Sequence, residues 1–129
     1  MSTATVSRKA AQGLPAGLRS AQAAVQLPEV QEMLRRLSGH GLGIFMPHMH
    51  DERTGDFLSL PDDVTQVEAG LEVSFQPAAD IASQADRFLP VAWLWRAGAA
   101  TVAAACEMVQ TDSPADGEPP VKHKMPPRT

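Results

Sequence analysis

The sequence predicts an α+β fold, with one main amphipathic helix packed on a small antiparallel sheet of four or five strands and with disordered termini. Three observations predict it. Apolar residues recur at helical spacing in one early segment, whereas later segments alternate apolar and polar residues as half-buried strands do. Proline, glycine and acidic residues separate these segments at short intervals, which is typical of tight turns. The two ends of the chain show neither periodicity.

The main helix is predicted to begin at Pro28 and to end at Gly39. Proline suits the first helical position, because the amide hydrogen that it lacks would have no partner there. A glycine is the usual residue just beyond a helix end. One apolar stripe follows the i, i+3, i+4, i+7 rule and consists of Val30, Met33, Leu34 and Leu37. A second short helix is predicted over 15–26.

Short apolar or alternating runs account for the predicted strands. The candidate runs cover 42–49, 57–60, 64–67, 71–76, 88–96 and 99–109, and four or five of them are expected in the sheet. Pro47 lacks a ladder donor, which favours an edge position or a strand end for the first run. The alanine-rich run 99–109 fits a helix or a strand, and the preceding turn favours the strand. A short helix is predicted over 78–86, between the fourth and fifth strands.

The run 88–96 has the pattern of a central strand. Val91, Trp93 and Trp95 share one face, whereas Ala92 and Leu94 make the other face apolar as well. The two tryptophans are large enough to anchor either a core or an interface, and the core is the preferred interpretation.

Composition at the ends sets the predicted domain boundaries. Residues 28–110 are predicted to form a single α+β domain, after a flexible leader over 1–27. Residues 111–129 contain five prolines and are predicted to be a disordered tail. The leader has early basic residues but no apolar core of a secretory signal, which predicts a cytoplasmic protein. The single cysteine excludes an internal disulfide.

Charge is unevenly distributed along the chain. The net charge is −4, but the stretch 29–109 holds twelve acidic and five basic residues and therefore carries −7. Such a domain is not expected to bind nucleic acid, where phosphate neutralisation supplies much of the affinity. No apolar run of about 18 residues is present, which predicts no membrane span. The acidity is compatible with a basic protein partner, a cationic ligand or a metal ion, but plain solubility is the preferred interpretation.

The strongest candidate site lies between Met46 and Glu52. Residues two apart on a strand share a face, so His48 and His50 would project together. Two imidazoles on one face can chelate a transition metal such as Zn, Ni, Cu or Fe, and Glu52 could complete the shell. Further candidate ligands are Met46, Asp51 and His40. The preferred interpretation of the pair, however, is a solvated face of an edge strand, and a role in acid–base chemistry or ligand binding is the third alternative.

The same residues resemble the first metal motif of the cupins, which are β-barrels whose H-x-H pair and a following glutamate bind a metal. The resembling residues are Gly43, His48, His50 and Glu52. The glycine-to-histidine spacing is one residue short, Glu52 follows His50 too soon, and no second motif with a third histidine follows. The resemblance covers only 43–52, and the chain is not assigned to that family.

No catalytic set is evident elsewhere in the sequence. Cys106 lies in an apolar run and is interpreted as a packing residue. The glycines of 39–43 follow a helix and enter a strand, which is the reverse of a phosphate-binding loop. The sequence therefore predicts a non-enzymatic module that acts through a protein partner or self-association, such as a homodimer or an accessory subunit. The alternative is a transition-metal domain, either metal-binding or metal-dependent catalytic, built on His48 and His50.

Overall fold

A computed structural model describes residues 14–110, 117 and 119–126. The fold is α+β, and its contacts group into two compact units, Met1–Leu60 and Pro61–Thr129. The described residues leave out residues 1–13 of the predicted leader and residues 111–116 of the predicted tail.

Over its described residues, 14–60, the first unit contains two helices and a small hairpin. Its elements are α1 (Ala16–Ala24), α2 (Pro28–Ser38), β1 (Met49–His50) and β2 (Phe57–Leu58). Helix α2 begins with proline in its first turn and has Gly39 at its C-cap, where the sequence predicts them. Arg35 and Arg36 both reach back to the Glu32 carboxylate, at 2.6 and 3.2 Å, on the exposed side of this helix.

The strand predicted over 42–49 is largely wrong, since within it only Met49 is in a strand. Residues 42–48 are irregular, and β1 pairs only with β2. Gly41 has φ of +75°, and Pro47 cannot donate to a ladder, so this segment suits a sheet poorly.

The second unit is built on a five-stranded sheet. Its elements are β3 (Val64–Ala69), β4 (Glu72–Pro77), α3 (Ala78–Ala82), β5 (Phe88–Arg96), β6 (Ala99–Gln110) and β7 (Val121–His123). The strand order is β4-β3-β6-β5, and β7 also pairs with β6. The alanine-rich run 99–109 is thus a strand, and it is the one on which three others pair.

The sheet is mixed rather than wholly antiparallel, which corrects the sequence prediction. Hairpin pairs β3–β4 and β5–β6 are antiparallel, but β3 and β6 run parallel, with Gln66 opposite Ala104 and Glu68 opposite Cys106. Strand β7 pairs antiparallel with the end of β6, inside the stretch predicted as a disordered tail.

The core of the second unit lies between the sheet and α3. Val67, Ile81, Phe88 and Ala105 form one buried cluster against which Val102 packs. Helix α3 is shorter than the predicted 78–86. Its Ile81 is buried in the cluster that packs on the sheet.

A buried guanidinium closes one end of this sheet. Arg96 is only 7% exposed and donates to the Thr101 hydroxyl at 2.6 Å. It also donates to the carbonyl oxygens of Pro61, Val64 and Val102, at 3.1, 2.9 and 2.9 Å. One side chain therefore ties the ends of β3, β5 and β6 together.

Strand β5 has the predicted bounds, 88–96, but it is the last strand of the order and not a central one. Burial alternates along it, and the tryptophans lie on its exposed side, with Trp93 49% and Trp95 77% exposed. The preferred assignment of these tryptophans to the core is therefore wrong.

Candidate functional site

The two predicted histidine ligands do lie together at the base of the small hairpin. The ring centroids of His48 and His50 are 5.5 Å apart, and both rings stand against Phe57, at 5.7 and 6.1 Å. The His48 Nδ1 lies 3.0 Å from the Met46 carbonyl oxygen. A carbonyl only accepts, so a neutral His48 donates from Nδ1 and keeps Nε2 as an acceptor or metal ligand.

The other predicted ligands are less well placed. Asp51 closes the hairpin turn, where its Oδ1 accepts from the Arg53 and Thr54 amides at 2.8 and 2.9 Å. The Thr54 and Arg53 amides hold the pKa of Asp51 below its ordinary value. Glu52 and His40 are exposed. Among the described residues, no His, Cys, Asp or Glu completes a three-ligand group with the histidine pair.

An apolar pocket of about 410 Å³ lies next to this pair, within the first unit. Its lining is apolar except for Gln22, and the lining residues are Ala21, Gln22, Ala24, Val25, Val30, Ile44, Phe45, Met46 and Pro47. Met46, one of the predicted ligands, therefore lines this pocket. The volume of the pocket is within the range of small-molecule sites.

A different group of potential ligands lies in the second unit. It consists of Glu68, Cys106 and His123, whose ligand atoms all lie within 4.8 Å of one another. The sheet register explains why they meet. Glu68 is opposite Cys106 in the parallel pair, and His123 is opposite Met108, two residues further along β6. Because alternate residues of a strand share a face, the three side chains project from the same side of the sheet.

Hydrogen bonds and charge already connect these three side chains. The Cys106 thiol donates to Glu68 Oε2 at 3.8 Å, and His123 Nε2 lies 3.9 Å from the same oxygen. Burial and the nearby Glu68 carboxylate raise the pKa of the Cys106 thiol. The cysteine is only partly buried, so it is accessible to a small ion, unlike the packing residue that the sequence suggests.

The segment that carries His123 is also held by a charged contact. Glu107 accepts from Arg87 Nε at 3.0 Å and from Lys124 Nζ at 3.4 Å. Burial would raise the pKa of Glu107, but the Arg87 and Lys124 cations outweigh it and leave that pKa below its ordinary value. The Lys124 amide also donates to the Glu107 carbonyl at 2.9 Å.

The chain was compared with family models, curated proteins and solved structures. No family model, no curated protein and no solved structure matches the chain. Within the part of the chain that the structure describes, no helix is long and apolar enough to cross a membrane.

Sequence reasoning missed the Glu68–Cys106–His123 group because its members are 38 and 17 residues apart. None of the three has a local context that indicates a metal ligand. Glu68 is an acid beside a turn, Cys106 lies in an alanine-rich run, and His123 lies in a proline-rich tail. The parallel pairing of β3 with β6 brings the first two together, and no local motif announces such a pairing.

The second unit also presents an exposed apolar surface along β5. We define the β5 face as Leu89, Val91, Trp93 and Trp95, each of which is about half exposed or more. Ala100 lies opposite Trp95 on β6 and is exposed, so a bulky ring stands beside a small residue. The surface therefore combines large apolar side chains with a small neighbouring one.

Proposed function

We propose that this chain is a small, non-enzymatic, cytoplasmic module that acts through protein association, and that it pairs with a second copy of itself through the β5 face. The observation that carries the proposal is the exposure of two tryptophans, at 49% and 77%, on one side of the last strand of the sheet. Tryptophan is among the residues that most often dominate binding energy at interfaces, and clustered exposed apolar side chains mark interaction sites.

Charge favours a second copy as the occupant. The stretch 89–95 contains no charged residue, whereas 29–109 carries −7. Two acidic chains can meet through this uncharged surface without placing like charges in contact. A strongly basic partner would gain little there, since the β5 face offers it no carboxylate.

The shape of the surface fits a two-fold interface. An isologous contact places the same patch of each copy against the other. The Trp95 ring of one copy would cover the small Ala100 of its partner, and the reverse. Pro90 removes one amide donor from β5, and proline disfavours edge-to-edge pairing, so we expect the contact to form between faces rather than between backbones.

The test is light scattering of the full chain over a range of concentrations. We expect a dimer, and we expect the W93S/W95S variant to be monomeric with essentially the parent's far-ultraviolet circular dichroism, because both rings are exposed. Leu71→Ser is the matched control, since Leu71 is 81% exposed on the β3–β4 turn and outside the β5 face. A monomeric parent chain, or a double variant that dimerises as the parent does, would contradict the proposal.

The second candidate function is transition-metal binding by His48 and His50. It is favoured by the 5.5 Å separation of their ring centroids and by the Nε2 of His48, which is left as an acceptor. Such a site would hold Zn, Ni, Cu or Fe with solvent in the remaining positions.

Elemental analysis of untagged, dialysed protein tests this candidate. The parent chain and the control His40→Ala are each expected to hold about one equivalent of metal more than H48A/H50A, so that the difference reports the histidine pair alone. Equal metal content in the parent and H48A/H50A would exclude the histidine pair.

A further inference from the structure

We propose that Glu68, Cys106 and His123 form a second, independent transition-metal site, and that Zn²⁺ is the ion that it takes. The site does not rest on the association through the β5 face, and it uses neither His48 nor His50. It draws one ligand from each of β3, β6 and β7.

The separations of the ligand atoms fit a tetrahedral ion. Zinc bonds of about 2.0–2.3 Å at tetrahedral angles place two ligand atoms about 3.3–3.8 Å apart. Glu68 Oε2 lies 3.8 Å from Cys106 Sγ and 3.9 Å from His123 Nε2. All three atoms lie within 4.8 Å of one another, so small side-chain movements bring them to one ion.

The donor set selects the class of metal. Thiolate, imidazole and carboxylate are the three side-chain ligands that zinc accepts, whereas Ca²⁺ and Mg²⁺ prefer oxygen alone. The metal takes the place of the thiol proton, which is released to solvent. Glu68 and His123 are exposed, so water can occupy the fourth position.

The backbone register supports the same conclusion. The two ladders place the three backbone positions side by side, because Glu68 and Cys106 are ladder partners and His123 pairs with Met108, two residues from Cys106. The cluster is thus largely preformed, which lowers the ordering cost of binding an ion.

Metal binding has a structural consequence for the C-terminal segment. Strand β7 pairs with β6 through only three residues, and all three of its side chains are exposed. A metal shared by His123, Cys106 and Glu68 would add a cross-link between β7 and the sheet. The site therefore couples the docking of residues 121–126 to metal occupancy.

Cobalt titration of the full chain is the decisive experiment, because Co²⁺ substitutes for Zn²⁺ and a thiolate ligand gives it a near-ultraviolet charge-transfer band. Cys106 is the single cysteine of the chain, so such a band reports this site alone. We expect the band to saturate at one equivalent and to disappear on addition of Zn²⁺. The H48A/H50A variant is the matched control and should keep the band.

Variants of the other two ligands test whether the cysteine acts with them. H123A and E68Q should each weaken cobalt binding by about tenfold or more, since even outer-shell changes cost about that much. Zn²⁺ should also slow the reaction of Cys106 with a thiol reagent and slow proteolysis of residues 119–126. The absence of a charge-transfer band, or a band unchanged in both H123A and E68Q, would overturn the proposal. Either result leaves the light-scattering test of the β5 face unaffected.

Discussion

Arg96 illustrates how one residue can decide the stability of the second unit. Arg96→Ala removes a charged donor from the carbonyls of Pro61, Val64 and Val102, of which Pro61 keeps the Val64 amide and Val102 the Thr65 hydroxyl. We expect the free energy of unfolding to fall by about 3 kcal/mol, because a hydrogen bond from a charged donor contributes about 1.5–3 kcal/mol. Chemical denaturation followed by circular dichroism measures the change.

Two other variants serve as comparisons for Arg96→Ala. Arg96→Lys keeps the charge but lacks the planar fork of donors, so a loss of about 1–2 kcal/mol is expected. Arg53→Ala removes an exposed arginine and should change stability by no more than about 0.5 kcal/mol. If Arg96→Ala were as mild as Arg53→Ala, the hydrogen bonds of Arg96 would not stabilise the fold.

Gly70 is a position where a single added carbon atom is expected to destabilise the second unit. Its φ is +66°, and a Cβ atom there would lie 3.0 Å from the Pro126 nitrogen and 3.1 Å from its Cδ. Gly70→Ala is therefore expected to cost about 1–3 kcal/mol, both from the left-handed backbone and from displacement of the C-terminal segment. Gly43→Ala, with open space around it, is the control and should be close to neutral. Thermal unfolding of both variants makes the comparison, and equal melting temperatures would contradict it.

At the scale of elements, local patterns predicted strands better than their partners. The bounds of β5 and the alternation of its side chains follow from the sequence. Its place at the end of the sheet does not, because apolar residues on both faces suit a central strand equally well. Sheet order depends on pairings between distant segments, such as Val67 with Ala105, which local periodicity does not encode.

The two candidate metal sites also differ in whether the local sequence could predict them. His48 and His50 could be found because they are neighbours in sequence, and they do lie side by side. The strand that was expected to align them is almost absent, and their closeness comes from the hairpin with Phe57 instead. Glu68, Cys106 and His123 could not be found, because a parallel ladder and an unexpected seventh strand bring them together.

Phe88 tests the element-scale account of the core. It packs with Val67, Ile81 and Ala105, and thereby joins β5 to β3, α3 and β6. Phe88→Ala is expected to lower the free energy of unfolding by about 3–5 kcal/mol, which is the usual cost of the lost burial and the cavity. Leu71→Ala, at an exposed position in the same unit, should change it by no more than about 0.5 kcal/mol. Urea denaturation of the two variants gives both values, and similar losses would disprove a core centred on Phe88.

At the scale of the whole molecule, charge distinguishes self-association from binding of a basic partner. Each copy carries a net charge of −4, whereas the β5 face is uncharged. Salt screens the repulsion between two acidic chains, since the Debye length falls from about 10 Å at 0.1 M to about 3 Å at 1 M. The dimer is therefore expected to tighten with added NaCl, on the order of threefold to tenfold by sedimentation equilibrium. Weakening with salt would show instead that charged contacts hold the copies together.

The division of the chain into Met1–Leu60 and Pro61–Thr129 leads to the last prediction. All five strands of the larger sheet and its buried cluster belong to the second unit, so its core does not depend on the helices α1 and α2. A fragment of residues 61–129 should therefore fold alone and keep the amide chemical shifts that its strands show in the full chain. Its stability should be modest, since a unit of about 70 residues buries little apolar surface. An unfolded fragment beside a folded full chain would instead favour the single domain over 28–110 that the sequence predicts.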